Sequence, residues 1–498
     1  MNNQIQKDGV TYSKAESGYF EQRGLNRVAG KWLLYGLGIA AVISGDFSGW
    51  NFGIGEGGFG GLLIATFLIG AMYVGLAFSL SELSPALPHT GGAYSFARTA
   101  MGPWGGFITG LAENMEYVIT TAVVGTFMVG YAQELLPKVD EVSVIPDWAL
   151  LLFIYGAFLI LNIIHVQLSL VVALVVAGLS VLALAVFFIA AATTGTFSVD
   201  NLFNIVPAEG GTAFLPFGTM GLLYAMPFAV WLFLGLEQLP LAAEESHDPK
   251  KDIPFALILG ILTLFTLAIL VVVLNTGVVG AEQIKAEGEP FFVGLTTVFQ
   301  GNVSRTLLAL TAIISFVASF HAIMFAYGRN IYSLSRAGYF PTALSKTLDK
   351  NKTPAVALIT GAIIGYALVI IMWKSFYSEQ SLTAASGILL NMAVFGAMIA
   401  YISQAVSYLI IKKMVINRPY VSPLGNAGAW VATIISTGTT LIILSNVLRE
   451  GPGFDSYRWG LLGCVLWFII GSIYFAVHAK NKMILSPEEE FAIEHRKS

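Results

Sequence analysis

Apolar residues in this chain run in long blocks, and short polar stretches punctuate them. Read with a window of about 19 residues, the pattern predicts twelve membrane-crossing helices. They fall near residues 32–54, 58–82, 104–136, 148–166, 168–192, 216–240, 254–278, 305–336, 354–373, 384–411, 428–447 and 459–478. Blocks longer than about 18 residues cross a bilayer as helices, whereas barrel strands alternate polar and apolar over about ten. The fold class is therefore an all-α integral membrane protein, with a transport-sized bundle over 31–480 and polar tails at 1–30 and 481–498.

Two of these blocks are interrupted. ISGDFSGWNFG, residues 43–53, puts Asp46 among glycines inside the first span. In the sixth, GLLYAMPFAVWLFLGLEQLP, Pro227 removes a backbone donor, Gly235 permits a break, and Glu237 follows. The sixth span opens a second group of five whose orientation is opposite to the first. Paired breaks at matching positions in inverted halves point to a midplane binding site in a secondary transporter. On this reading repeat one covers about 31–192 and repeat two about 214–412, with two extra helices in about 428–478.

Composition and charge narrow the class. Only 11% of the residues are charged, against roughly 25% in a soluble domain, and mean hydropathy is +0.74. With the N-terminus placed inside, cytoplasmic segments hold twenty of the 26 Lys and Arg. That bias puts both termini in the cytoplasm, and the expected location is a plasma membrane. No cleavable signal peptide is read in the first thirty residues. The single cysteine, Cys464, cannot form an internal disulfide. A phosphate-binding G-x-x-x-x-G-K-[ST] loop is missing, which disfavours an ATP-driven pump. Six scattered histidines make no metal cluster and no nucleophile–base pair, so neither an enzyme nor a cofactor is expected. Nucleic acid is not an expected partner, and the oligomeric state cannot be read.

Four acids sit where a bilayer should be: Asp46, Glu113, Glu116 and Glu237. A carboxylate at that depth costs about 2.5–3.5 kcal/mol on insertion scales and marks a functional candidate. Glu113 and Glu116, in GLAENMEYVITTAV, share a helical face. His321 is the one central group able to be cationic near neutral pH. Acids outnumber cations, so the cavity expects positive charge from a substrate or a coupling ion, with H+ and Na+ both open. Trp50, Trp231 and Phe233 are positioned to wall an ammonium by cation–π contact. Each candidate also has an ordinary reading: Asp46 as a helix cap, His321 as a satisfied packing group, and the aromatics as core.

Four stretches together resemble the amino acid–polyamine–organocation superfamily. They are the broken first span, SELSPALPHTGGAYSFAR, GLEQLPLAAEESHDPKKDIP and GRNIYSLSRAGYFP. The resemblance implies a LeuT-like fold, with a five-plus-five inverted repeat, broken helices 1 and 6, and alternating access. One departure stands out. Where amino acid permeases of this type carry Gly-Ser-Gly, this chain has Gly49-Trp50-Asn51, and β-carbons there spoil a backbone nest for a carboxylate. ISGDFSGWNFGIGEGGFGG, the span 3 glutamates and SFHAIMFAYGRNIYSLSRAG resemble the bacterial ethanolamine permeases. That resemblance implies an ammonium substrate held by Gly45, Asp46, Ser48, Gly49, Trp50, Glu113, Glu116, Trp231, Phe233, Leu234, Gly235 and His321, with Asn51 as a further hydrogen-bonder. It gives Glu237 a gating or proton-linked role. The expected function is import of ethanolamine or a similar amino alcohol. Amino acid, polyamine or choline transport, and a membrane amine sensor, remain the alternatives.

Overall fold

The computed structural model describes residues 4–133, 135–139, 142–164, 166–378, 380–414, 417–449 and 455–495. Helix α1, Lys31–Val42, ends early and gives way to a 3-10 turn, Ile43–Asp46. Helix α2, Phe52–Ala86, begins after the break and contains a kink at Gly58, whose φ is 69°. The first expected span is thus divided between α1 and the opening turns of α2. For this reason eleven helices, not twelve, are long and apolar enough to cross a membrane among the described residues.

The chain continues through α3, Gly92–Gln133, α4, Asp147–Ile164, and α5, Val166–Thr193. Helix α3 starts twelve residues before the expected 104, because a surface helix runs into it across Gly102, φ 84°. Helix α6, Gly218–Trp231, stops where Pro227 and Gly235 predict, and a 3-10 segment, Leu236–Glu245, completes the crossing. Gly235 has φ 114°, a left-handed conformation that favours glycine. There follow α7, Pro249–Val279, α8, Arg305–Arg336, α9, Ala355–Phe376, α10, Ser386–Ile411, α11, Gly425–Asn446, and α12, Asp455–Val477.

Burial sorts the helices into a core and a lipid-facing shell. The apolar window of α3 is 89% buried, whereas that of α12 is 17% buried. Helix α3 packs on α8 and α10, and α2 packs on α6 and α7, so the two broken crossings lie inside the bundle. Outward apolar side chains such as Phe153, Ile363, Ile434 and Ile470 are exposed, as lipid contact requires. This is an all-α membrane protein of the LeuT-like fold.

Both ends of the chain meet on one face, here the terminal face. Strands β1, Gln4–Lys7, and β2, Val10–Ser13, form a hairpin, and β3, Met483–Ile484, adds parallel to β2 through Tyr12 and Met483. The last helix, α13, Pro487–His495, lies against the start of α3.

Candidate functional site

The two breaks touch backbone to backbone. A β-carbon at Gly45 would collide with the carbonyl oxygen of Trp231, and one at Gly49 would lie 2.9 Å from the Trp231 ring. Gly49 has φ 92°, so two constraints fix glycine there. The released backbone at the top of α1 is caught by α8. Ser319 Oγ donates to the Ala40 carbonyl at 2.7 Å and accepts from the Ser44 amide at 3.1 Å. Unwinding begins at Ile43, and Gly49-Trp50-Asn51 closes it before α2 starts.

A narrow crevice lies at this junction, lined by Ala41, Val42, Ser44, Gly45, Thr120, Trp231 and Leu234. Above it, on the face away from the termini, a vestibule of about 1030 Å³ is lined by Phe52, Phe127, Phe228, Asp147, Lys285 and Glu289, among others. Phe127 meets Trp231 edge-on, with ring centroids 6.3 Å apart. These two rings therefore separate the vestibule from the crevice. Among the described residues, buried pairs such as Arg98–Glu489 and Arg329–Glu245 cross between elements on the terminal face, while the vestibule opens on the other.

The acids divide into two groups. Asp46 is fully buried at the end of the 3-10 turn, and neither of its oxygens has a protein partner. The three glutamates gather elsewhere, between α3 and the second half of the helix 6 crossing. Glu116 Oε1 accepts from Tyr401 at 2.7 Å, and Tyr73 donates to Tyr401 at 3.0 Å. Glu237 Oε2 accepts from the Gly235 amide at 3.1 Å. The Glu116 and Glu237 carboxyls are close enough to act on one another electrostatically, and Glu116 Oε2 and Glu237 Oε1 have no donor. Glu113 accepts from Tyr117 and Asn330, each at 3.4 Å. Thus Glu113 and Glu116, three residues apart, meet different neighbours.

Several expected site residues have other contacts here. Ser48 Oγ donates to the Gly288 carbonyl at 2.8 Å, and Asn51 Nδ2 donates to the carbonyls of Ile284 and Glu287, each at 2.8 Å. Both tie the break to the loop that roofs it. Phe233 packs on Tyr73 and Phe265. Of the two readings of His321, the contacts fit the packing one. Its ring nitrogens meet Asn162 Nδ2 and Ser169 Oγ, each at 2.9 Å, in a pocket made by α4 and α5. That is a satisfied packing environment away from the glutamates. Trp50 is fully buried, and neither its indole N–H nor that of Trp231 has a partner.

Sequence reasoning did not find Tyr73, Tyr401 and Ser319. Each is one of several hydroxyls in its helix, and Tyr401 lies 285 residues from the glutamate it binds. Their pairing is a product of packing that helical periodicity does not encode.

Comparison with known proteins agrees with this architecture. The chain is 27% identical to a lysine-specific permease of Lactococcus lactis, over 88% of this chain and 86% of that one. A methylthioribose transporter of Bacillus subtilis is 23% identical over 94% and 96%. A branched-chain amino acid permease of the same organism is 25% identical over 68% and 73%. The family model described as amino acid permease matches residues 34–485, a range that takes in both breaks, the vestibule and the glutamates. The chain belongs to the amino acid permease family, a group of membrane transporters and not of enzymes.

Proposed function

We propose that this permease is a secondary active transporter that carries ethanolamine, or a similarly small amino alcohol, by alternating access around the two breaks. The observation that carries the reading is Asp46, buried at the helix 1 break with both oxygens lacking a protein partner. A buried, uncompensated carboxylate is costly, and a substrate ammonium supplies both the charge and the donors. At about 4 Å and an effective dielectric near 20, that contact is worth on the order of 4 kcal/mol before desolvation. In the vestibule, Asp147 and Glu289 add acidic groups, while Lys285 is held by Glu282 at 2.7 Å.

The other end of the substrate favours a hydroxyl over a carboxylate. Trp50 and Asn51 follow Gly49 where a glycine nest for an anion would need residues without β-carbons, which is what favours a neutral end in this reading. A second reading, an amino acid substrate, is favoured by the lysine and branched-chain permeases among the relatives. Radiolabelled ethanolamine uptake into proteoliposomes, competed with alanine, lysine, putrescine and choline, separates the two. Ethanolamine should compete best; displacement by alanine at lower concentration would overturn the amino alcohol reading.

The coupling ion in this reading is the proton. Two neighbouring buried carboxyl groups are compatible when one proton is shared between them. Glu116 stands on rigid α3 and Glu237 on the segment of helix 6 that must move. Gain or loss of that proton therefore acts on the joint between scaffold and moving part. With the termini in the cytoplasm, as the charge bias implies, the vestibule faces outward and the direction is import. Uptake that follows an imposed sodium gradient and ignores a pH gradient would sink this assignment.

A further inference from the structure

The terminal face is closed by more than the bundle itself. Helix α13 begins with three glutamates, and two consecutive ones, Glu488 and Glu489, are fully buried. Glu489 Oε2 accepts from Arg98 Nε at 2.6 Å and from Tyr12 at 2.7 Å, while its Oε1 accepts from Tyr339 at 2.9 Å. Arg98 is itself buried near the start of α3 and also reaches Asp8 at 3.3 Å. Glu488 pairs with Arg336 at the end of α8. The same guanidinium holds Glu244, on the tail of the broken helix 6, at 2.6 Å.

One short helix therefore ties together α3, α8 and the moving end of helix 6. The tie is reinforced from the backbone. The Ile484 amide donates to the Ala337 carbonyl at 3.0 Å, Leu485 to Ser13 at 3.2 Å, and Lys7 Nζ to the Ile493 carbonyl at 3.0 Å. An opening on this face has to part the helix 6 tail from α3 and α8, because it packs on both and Arg336 and Arg98 join the three through α13. The parting breaks the bridge at Arg336 or pulls α13 away from Arg98.

We propose that α13 is an autoinhibitory latch, which holds the terminal face shut by setting Glu488 and Glu489 into Arg336 and Arg98. Undocking it lowers the barrier to the state open on that face, without touching the substrate site. Two elements of the latch come from the N-terminal hairpin, Asp8 and Tyr12, so both ends of the chain act on one gate. The latch rests on the alternating-access motion of the fold and not on the identity of the substrate.

The test is labelling of a buried position on the helix 6 tail. In full-length protein with Cys464→Ser, Ala242→Cys reports opening through its rate of alkylation by a membrane-impermeant maleimide. Adding Glu488→Gln and Glu489→Gln should raise that rate roughly tenfold, the shift expected when closed and open states move by 1.4 kcal/mol. Deleting residues 487–498 should raise it at least as much. Gel filtration in detergent identifies any variant that fails to fold, and the conservative Glu→Gln pair then decides. Monodisperse variants labelled at the parent rate would overturn the latch. The readout uses no substrate, so a failed ethanolamine assay leaves it intact.

Discussion

The middle of this molecule and its terminal face treat buried charge in opposite ways. On the terminal face each buried acid has a cation. Glu245 takes Arg329, Glu244 and Glu488 share Arg336, Glu489 takes Arg98, and Glu82 takes Arg418. In the middle, Asp46, Glu113, Glu116 and Glu237 have no ion pair among the described residues. Both regions are equally dry, so burial alone does not distinguish them. The difference is that one set of charges is complete within the chain and the other is completed from outside. In the proposed reading the paired set builds a gate, and the unpaired set makes a binding site.

Removing one member of a complete pair should have the largest effect on stability. Arg329 is buried, donates to both oxygens of Glu245 at 2.8 and 3.1 Å, and stacks on Phe325. Arg329→Met leaves Glu245 buried without a cation and should cost about 3–5 kcal/mol, read as a lower unfolding midpoint in detergent. A midpoint equal to the parent would erase the contrast between the two regions.

The central acids should respond the other way. Asp46→Asn removes a charge that no protein group offsets, so the unfolding midpoint should hold or rise. Ethanolamine uptake should fall by about tenfold or more, or 1.4 kcal/mol and upward in transition-state terms. Uptake at the parent level would reduce Asp46 to a structural cap. A finer test lies within α3. Glu116→Gln disturbs the pair with Glu237, whereas Glu113→Gln meets only Tyr117 and Asn330. The first should abolish the stimulation of uptake by a pH gradient, and the second should change it by roughly twofold or less, the scale of one neutral hydrogen bond. Equal losses would mean that the span 3 acids work as one group.

The smallest effect sits at the edge of the gate. His89, in the turn between α2 and α3, is half-buried, packs against Phe491 and lies near Glu488, Glu244 and Arg336. Burial lowers its imidazole below the ordinary 6.5 and outweighs the neighbouring glutamates. The unfolded chain therefore takes up the proton first, and stability falls as pH drops below about 6.5 towards the lowered value. His89→Gln should flatten that slope, measured as the difference in unfolding midpoint between neutral and mildly acidic buffer. A steeper slope in the variant would show that the sign is wrong.

Much of this was legible in the sequence, because a bilayer allows few solutions. Long apolar blocks must be helices, and Pro227, Gly235 and the glycines around Asp46 mark the places where those helices fail. The depth of Glu116 and Glu237 was legible from spacing. Their mutual approach was not, since it depends on how α3 meets helix 6. His321 shows the limit of residue-type reasoning: a titratable ring in a central helix turned towards Asn162 and Ser169 on the opposite side. Glu488 and Glu489 gave no signal at all, because a polar tail reads as solvated until packing buries it.

The contact between Gly45 and the carbonyl of Trp231 has a consequence for what the break can hold. The two half-helices approach each other through main-chain atoms, so a side chain at Gly45 would force them apart whatever else surrounds the break. That requirement is set by the backbone, and it holds whichever cargo the neighbouring side chains select. A methyl group at residue 45 would thus separate helix 1 from helix 6 before any substrate arrived.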